Sequence, residues 1–467
     1  MKFVNRHKEL VRLKGLLRSR AAGLAVIWGR RRVGKTRLLL EWTEDNKGVY
    51  FVADESSPSI QRKFLSGAIE QALPGFAEAE YPDWQSLFLR LARDASVAKW
   101  RGPIVIDELP YLISGSPELS SILQKFIDHE AKKAKLVIVL CGSSQRMMQG
   151  AILDESAPLY GRADELIKLH PIAIGYMKEA LKLRRPRDIV EAYAIWGGIP
   201  RYWDLASKVK SNLYETIDRL VLDPMGPLHE EPQRLLSEES PPAVHLRPIL
   251  DAIGLGANRL SEVAGRIGEA VTTLSRPIER LIELDLIQRE TPYGTDPQNS
   301  KKTLYKIKDP FLRFWFQIVA SRRSLFPQVS TPVRHQWLKE GLPGLFAITW
   351  EELCRSAVPI LSEHWEAIYK PAGRFWQGQG FEWDVLSQSL DGRHFLIGEA
   401  KWTEKKPSVQ WIYKTVQTLK AKGIPPVERH SHAQIHYVLF VPERPPQLKL
   451  PSDVRVVEAN ELIAVLR

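Results

Sequence analysis

The sequence predicts an α/β protein of several domains, with a parallel sheet in the first half, a winged helix-turn-helix near the middle and a second, smaller α/β sheet at the end. Three observations carry that prediction. Short apolar runs, "GLAVIWG", "GVYFVAD", "GPIVIDE" and "KLVIVLCGS", alternate with amphipathic stretches, the pattern of strands buried on both faces of a helix-covered parallel sheet. Between residues 246 and 307 the text reads helix, helix, turn, helix, hairpin. Later, "FEWDVLSQSLDGRHFLIGEAKW" alternates on both sides of Asp391-Gly392, as two strands do around a tight turn.

At 467 residues the chain is too long for one ordinary core. Its hydrophobic content of 44% and charged content of 26% are globular values. No uninterrupted apolar run reaches the roughly 18 residues that spanning a bilayer needs, and "MKFVNRHKEL" is too charged for a secretory signal. A cytoplasmic protein with no membrane contact is expected. The two cysteines, Cys141 in an apolar strand and Cys354 in a helix, cannot build a disulfide framework or a cysteine zinc site within one chain, and are expected as inert buried thiols. A net charge of +11 suits a protein that meets phosphates, of nucleotide or of nucleic acid.

The first apolar run ends in Gly29-Arg30-Arg31-Arg32-Val33-Gly34-Lys35-Thr36, followed by Arg37 and a helix. This is the G-x-x-x-x-G-K-[ST] phosphate loop in its strand-loop-helix setting. Its glycines let backbone N–H groups wrap phosphates, Lys35 reaches the β and γ phosphates, and Thr36 holds Mg²⁺ at the positive end of the helix. "PIVIDE" supplies the second half of such a site: Asp107 to bind Mg²⁺ through water and Glu108 to orient the attacking water. Ser143 or Ser144 at the end of "KLVIVLCGSS" is placed to sense the γ-phosphate. Arg162 in "PLYGRADEL" is a candidate to stabilise charge on the transferred phosphoryl group, in its own or a neighbouring subunit of a homo-oligomer.

Phe3, Arg6 and Glu9 in "FVNRHKEL", then "GRRRVGKT", "IVIDE", "CGSS", "LYGR" and "WGGIPRYW" together resemble the archaeal ATPase family of the AAA+ superfamily over roughly the first half of the chain. The resemblance implies a sheet with an extra strand inserted between the two nucleotide-binding strands, and ATP as the nucleotide.

From about Pro171 to Ser237, "GYMKEALKL", "DIVEAYAIWGGIP" and "SNLYETIDRLVL" carry helical spacing and read as a small lid. Helices are then expected over Leu246–Gly254, Arg259–Ile267 and Val271–Leu284, before two strands around a long polar wing. The third would be a recognition helix offering Thr272, Thr273, Ser275, Arg276, Glu279 and Arg280, with Lys301, Lys302 and Lys306 beside the wing for backbone phosphates. Pro277 and the glutamates on that face speak instead for packing against protein.

In the last segment Asp384 falls on one strand, and Glu399 and Lys401 fall on the next, two residues apart and so on one face. Two carboxylates and a lysine on one sheet face are what metal-assisted phosphodiester cleavage needs: the carboxylates hold Mg²⁺, and the lysine positions the attacking water or offsets developing charge. "FAITWEELCRSAV" offers Glu351 or Glu352 as a further ligand, and "SVQWIYKTVQTLKAK" reads as the helix behind the sheet, its lysines placed to follow a nucleic-acid backbone. The arrangement resembles the restriction-endonuclease-like PD-(D/E)xK fold, as in the domain of otherwise unknown function that commonly follows an archaeal-type ATPase. The proline of that motif's name is absent, Trp383 standing before Asp384. An ion-pair cluster on a sheet edge, or a fold that binds nucleic acid without cutting it, would show the same residues. His430, His432 and His436 lack a matching set of zinc ligands and read as surface or core residues.

The expected division is an AAA+ P-loop ATPase domain over 1–170, a helical lid over 171–237, a winged helix-turn-helix over 238–310, a helical connector over 311–343 and a nuclease-like domain over 344–467. ATP and Mg²⁺ are the expected cofactors and DNA the expected partner. The rivals are an ATP-gated switch that binds protein and an ATP-dependent transcriptional regulator.

Overall fold

The computed structural model describes the chain from Phe3 to Arg467 except residues 144–147, 149, 151, 153, 156, 240–245, 297–299, 301, 378–379 and 430–431. Ser144, Lys301 and His430 lie outside the described residues. The chain divides into two units, Lys2–Ile172 with Ile199–Arg201, and Ala173–Gly198 with Tyr202–Arg467.

In the first unit the apolar runs form β1 (Gly23–Trp28), β2 (Val49–Val52), β3 (Ile104–Asp107) and β4 (Val137–Gly142), joined by a short β5 (Glu165–Lys168). All pair in parallel, in the order β2-β3-β4-β1-β5. The strand β4 therefore lies between the strand that leads into the glycine loop and the strand that ends in Asp107, as the family resemblance implies. Strand alternation splits the core into two layers. Ala25, Ile27, Val105, Val139 and Cys141 face the side of α1 (His7–Arg18) and α2 (Lys35–Asp45). Leu24, Val26, Ile104, Ile106 and Leu140 face α3 (Pro58–Glu70), α4 (Trp84–Ala98) and α5 (Leu119–Phe126). Burial on both faces is the reason these strands read as continuous apolar runs. "ELIK" gave no such signal because β5 is an edge strand with one buried residue, Ile167.

The second unit begins with the stretch expected as a lid, whose main helices are α6 (Pro186–Trp196) and, past the Ile199–Arg201 excursion, most of α7 (Pro200–Lys208). It shares its packing with the last third of the chain. The Arg187 guanidinium lies 4.9 Å over the ring of Trp402, which itself meets Trp350 at 5.4 Å. Tyr202 meets Phe311 at 4.6 Å, and the Gly175 N–H donates to Leu466 O at 2.9 Å. A Cβ on Gly175 would stand 2.6 Å from Leu466 O and 2.7 Å from Ile463 O, both backbone atoms. Gly175→Ala is therefore expected to destabilise this unit by about 1–3 kcal/mol. Chemical denaturation would show it as a lowered midpoint at unchanged slope, and an unmoved midpoint would refute the close approach.

Three helices follow, α8 (Arg247–Gly254), α9 (Leu260–Ile267) and α10 (Ser275–Glu283), the last preceded by a single 3₁₀ turn over Val271–Leu274. Pro277 sits in the first turn of α10, where a missing N–H costs nothing. The antiparallel pair β6 (Ile287–Glu290) and β7 (Leu304–Ile307) completes the segment. Its long connection does not stand away from the protein: Tyr293 N donates to Arg374 O at 2.7 Å, and its ring meets Phe395 edge-on at 6.3 Å. Lys306, expected beside phosphates, is 19% exposed and paired with Glu290. Burial lowers its pKa against the opposing pull of Glu290.

A 31-residue helix, α11 (Thr331–Leu361), runs without a break through the expected boundary at 343/344. Pro343 suggests a stop by local rule, but Leu338, Leu342, Leu345 and Phe346 are buried on one stripe and hold the helix through it. The last sheet has the order β12-β11-β10-β9-β8, from β8 (Gly373–Trp376), β9 (Glu382–Gln388), β10 (His394–Ala400), β11 (Gln434–Val441) and β12 (Val454–Glu458). The first three strands are antiparallel, and β10, β11 and β12 are parallel. A parallel pair needs a crossover, and α12 (Val409–Ala421) supplies it, burying Ile412, Val416 and Leu419 at helical spacing. The short helix α13 (Ala459–Val465) closes the chain against α11. Among the described residues no helix is long and apolar enough to cross a membrane, and both cysteines are free and buried.

Candidate functional sites

The first site forms where β1, β3 and β4 end. After Trp28 the backbone turns sharply at Gly29, with φ 146°, where a Cβ would lie 2.5 Å from Leu169 O. Only glycine fits there. Lys35 opens α2 and is 5% exposed; its Nζ donates to Gly29 O at 2.7 Å and Arg30 O at 3.2 Å. The lysine thus spans the loop and pairs with its carbonyls. Arg6, in the left-handed region at φ 75°, donates to Val33 O at 2.8 Å and to Glu9 at 3.2 Å, so the residues before β1 brace the loop from behind. Burial lowers the pKa of this guanidinium against the raising effect of Glu9. The Val33 side chain is core, and Arg30 is buried. Arg32 is left-handed at φ 66°. Arg37 turns outward, 65% exposed and 3.0 Å from Glu41.

Asp107 is 1% exposed. Its Oδ2 accepts from Thr36 Oγ1 at 2.9 Å and from the Tyr50 hydroxyl at 2.6 Å, and its Oδ1 accepts from Glu108 N at 2.9 Å. Burial, then the Asp107 charge, raises the Tyr50 pKa, so this phenol stays a donor. A hydroxyl and a carboxylate side by side at a helix start are hard oxygen donors, which fit Mg²⁺. Glu108 is held left-handed at φ 55°, and its Oε2 accepts from Ser143 N at 3.1 Å and Ser143 Oγ at 2.8 Å. Ser143 therefore touches the glutamate.

Arg162 stands at the opposite end of β1. Asp164 beside it binds the backbone of Leu24 in both directions, at 2.8 and 2.9 Å, roughly 15 Å of strand from the glycine loop at about 3.3 Å per residue. Its guanidinium donates to Asp128 at 3.0 Å and Pro158 O at 2.9 Å. It does not reach the loop of its own chain.

The second site lies on the last sheet. Asp384 and Glu399 occupy facing positions on β9 and β10, next to the paired Val385 and Gly398. Asp384 Oδ2 accepts from Ala400 N at 2.9 Å. Glu399, 6% exposed, accepts from Lys401 Nζ on Oε1 and from Lys422 Nζ on Oε2, each at 2.6 Å. From α11, Arg355 donates to Asp384 O at 3.0 Å and stands 3.6 Å from Glu351. Glu352 faces away, in a two-pronged pair with Arg313 at 2.8 Å. The helix thus brings Glu351 toward the cluster and removes Glu352 from it. Burial, then the charge of Glu399, raises the Asp384 pKa, and burial, then Asp384, raises that of Glu351. For Lys401 burial works downward, and the hydrogen bond and charge of Glu399 outweigh it, so its pKa rises.

The oxygen donors suit a hard cation by type, but both Glu399 oxygens are already paired with lysines. Among the described residues no three His, Cys, Asp or Glu side chains are grouped to hold a metal ion. His436 instead pairs with His394 at 3.0 Å on the other face of the sheet. Arg355 and Tyr50 are not among the residues the sequence singles out, and Lys422 is expected there only as one of the helix lysines along a nucleic-acid backbone; contacts made across a crossover or between helix and sheet are not visible in the sequence.

Raised pKa values give Asp384 a sign-definite effect. Its ionisation opposes folding, so its contribution is fully present below the unfolded value near about 3.9 and is lost as pH rises through the folded one. Asp384→Asn, which keeps an acceptor for Ala400 N, is expected to stabilise the protein on the order of 1 kcal/mol near neutral pH. The gain should vanish in denaturation at about pH 4; a loss of stability near pH 7 would contradict it.

Residues 3–205 match a family described as an ATPase domain predominantly from Archaea. The first part of the chain is similar to that ATPase family. ATP binding and hydrolysis are the activity such a domain supports. The Walker-type ATPase of Pyrococcus abyssi is similar to the chain in fold, with a TM-score of 0.54, 22% identity, and coverage of 68% of this chain and 96% of that one. Beyond that match, residues 315–412 match a family described as archaeal and bacterial proteins of unknown function. An uncharacterized protein of Methanocaldococcus jannaschii is 28% identical over 432 residues, covering 92% of this chain and 94% of its own.

Proposed function

We propose that the protein uses ATP binding and hydrolysis to control a DNA-directed C-terminal domain of PD-(D/E)xK type. The observation that carries this is the meeting of Asp384 and Glu399 on adjacent strands with Lys401 just past the end of the second, flanked by Glu351 of α11, in a sheet whose crossover helix follows the Glu-x-Lys segment. The segment α8 to β7 has the element order of a winged helix, and Thr272 and Thr273 on the 3₁₀ turn before its third helix, with Ser275 and Arg276 at that helix's start, are exposed, available to a phosphate backbone or a base edge.

At the ATP site, Lys35 would exchange the loop carbonyls for β and γ phosphates, and Thr36 and Asp107 would hold Mg²⁺, which offsets phosphate charge. Glu108, set by Ser143, would orient water. Since Arg162 is remote from its own loop, its action on a phosphoryl group would be on that of a neighbouring copy. It shares a cavity of about 790 Å³ with Arg20, Lys132 and Lys135. Arg162→Ala mixed with Lys35→Ala should then hydrolyse ATP faster than either variant alone, and a strictly additive rate would count against the shared site.

The test is cleavage of end-labelled single-stranded, duplex and branched DNA with Mg²⁺ or Mn²⁺, with and without ATP. Cutting supports the reading. Salt-sensitive binding without cutting favours a second one, an ATP-gated regulator with an inactive nuclease-like domain, for which the lysine-paired Glu399 and the docked wing also speak. Indifference to DNA would leave a protein-directed switch.

A further inference from the structure

The C-terminal site is already balanced in charge by its own side chains. Asp384, Glu399 and Glu351 contribute three carboxylates, and Lys401, Lys422 and Arg355 three cations, with each Glu399 oxygen 2.6 Å from a different lysine. The next groups outward, Arg374 and Lys306, are themselves paired with Glu290 and Glu382. The two lysines differ. Lys401 is 42% exposed one residue past the end of β10, whereas Lys422 is 16% exposed past the end of the crossover helix and also donates to Glu382 O at 3.0 Å. One is anchored and one can swing out.

We propose that Lys401 and Lys422 form a lock that keeps free divalent cations out of the resting C-terminal site. A dication entering this half-buried cluster would meet three positive charges and a glutamate with neither oxygen released, an arrangement that costs more than it returns in a low-dielectric setting. A nucleic-acid phosphate changes the balance: it brings negative charge and gives Lys401 another partner, freeing Glu399 Oε1 beside Asp384 while Lys422 holds the other oxygen in place. Metal and phosphate then enter together. This rests on the nuclease-type reading of the site for the identity of the anion.

The experiment is Mn²⁺ binding to the full chain, followed by the electron paramagnetic resonance signal of the free ion. Asp384→Asn serves to separate this site from the Thr36 and Asp107 site. The native protein should show no Asp384-dependent uptake until a DNA duplex is added. Lys422→Met and Lys401→Met should each tighten Asp384-dependent Mn²⁺ binding without DNA by at least about tenfold, one positive charge having been removed from beside the ion. Lys422→Arg, which keeps the charge, should behave as native. Tight Asp384-dependent uptake by the native protein without DNA overturns the lock, and so does the absence of any gain in both methionine variants. Cleavage is scored separately: gained affinity without DNA cutting keeps the lock and sinks the nuclease reading, whereas cutting without gained affinity does the reverse.

Discussion

Lys35→Ala is expected to lower ATP hydrolysis by about 100-fold or more, the size of loss seen when a fixed donor to a developing charge is removed. Two effects act in the same direction. The ammonium that would meet the β and γ phosphates is gone, and Gly29 O and Arg30 O, its present acceptors, lose the bond that shapes the loop. Because Lys35 is 5% exposed, the substitution also leaves a small void, so the melting temperature should fall by only a few degrees. Hydrolysis within tenfold of native, with magnesium and ATP saturating, would mean that the loop is not the site of turnover. Thr36→Ala should lose magnesium dependence as well as rate, since its hydroxyl shares Oδ2 of Asp107 with Tyr50.

Asp384→Ala is expected to remove DNA cleavage while sparing ATP hydrolysis. Groups that merely support a metal ligand are worth about 10–100-fold, so loss of a carboxylate at the centre of the cluster should exceed that. Asp384 faces Glu399 across β9 and β10 and fixes its own position through Ala400 N, so its removal disturbs the cluster and little else. Equal cleavage by native and Asp384→Ala proteins would assign any nuclease activity elsewhere or to a contaminant.

Much of this was legible from local text. The glycine loop, the Asp107-Glu108 pair and the hairpin at Asp391-Gly392 are each written in one continuous stretch, because strand period, turn residues and phosphate contacts are all short-range in sequence. What stayed hidden is long-range. Lys422 reaches Glu399 only through a crossover helix, 23 residues on. The burial of Lys306 depends on Glu290 across a hairpin, and the docking of the β6–β7 connection depends on Tyr293 finding Phe395. The choice between Glu351 and Glu352 turned on which helix face met Arg313. The boundary expected at 343/344 fails for the opposite reason, the local signal of Pro343 being overruled by a buried stripe.

The three residues Ile199–Arg201 belong to the first unit, while α6 before them and the rest of α7, which begins at Pro200, belong to the other. The backbone therefore crosses between units at 172/173, 198/199 and 201/202, and no single scission separates them. A fragment ending near residue 237 would carry Tyr202 without Phe311, His229 without Trp315 and Arg187 without Trp402, baring aromatic surface that invites aggregation. Splitting this chain for separate assays of its two ends would sever a shared interior, so point variants in the intact polypeptide are the way to dissect it.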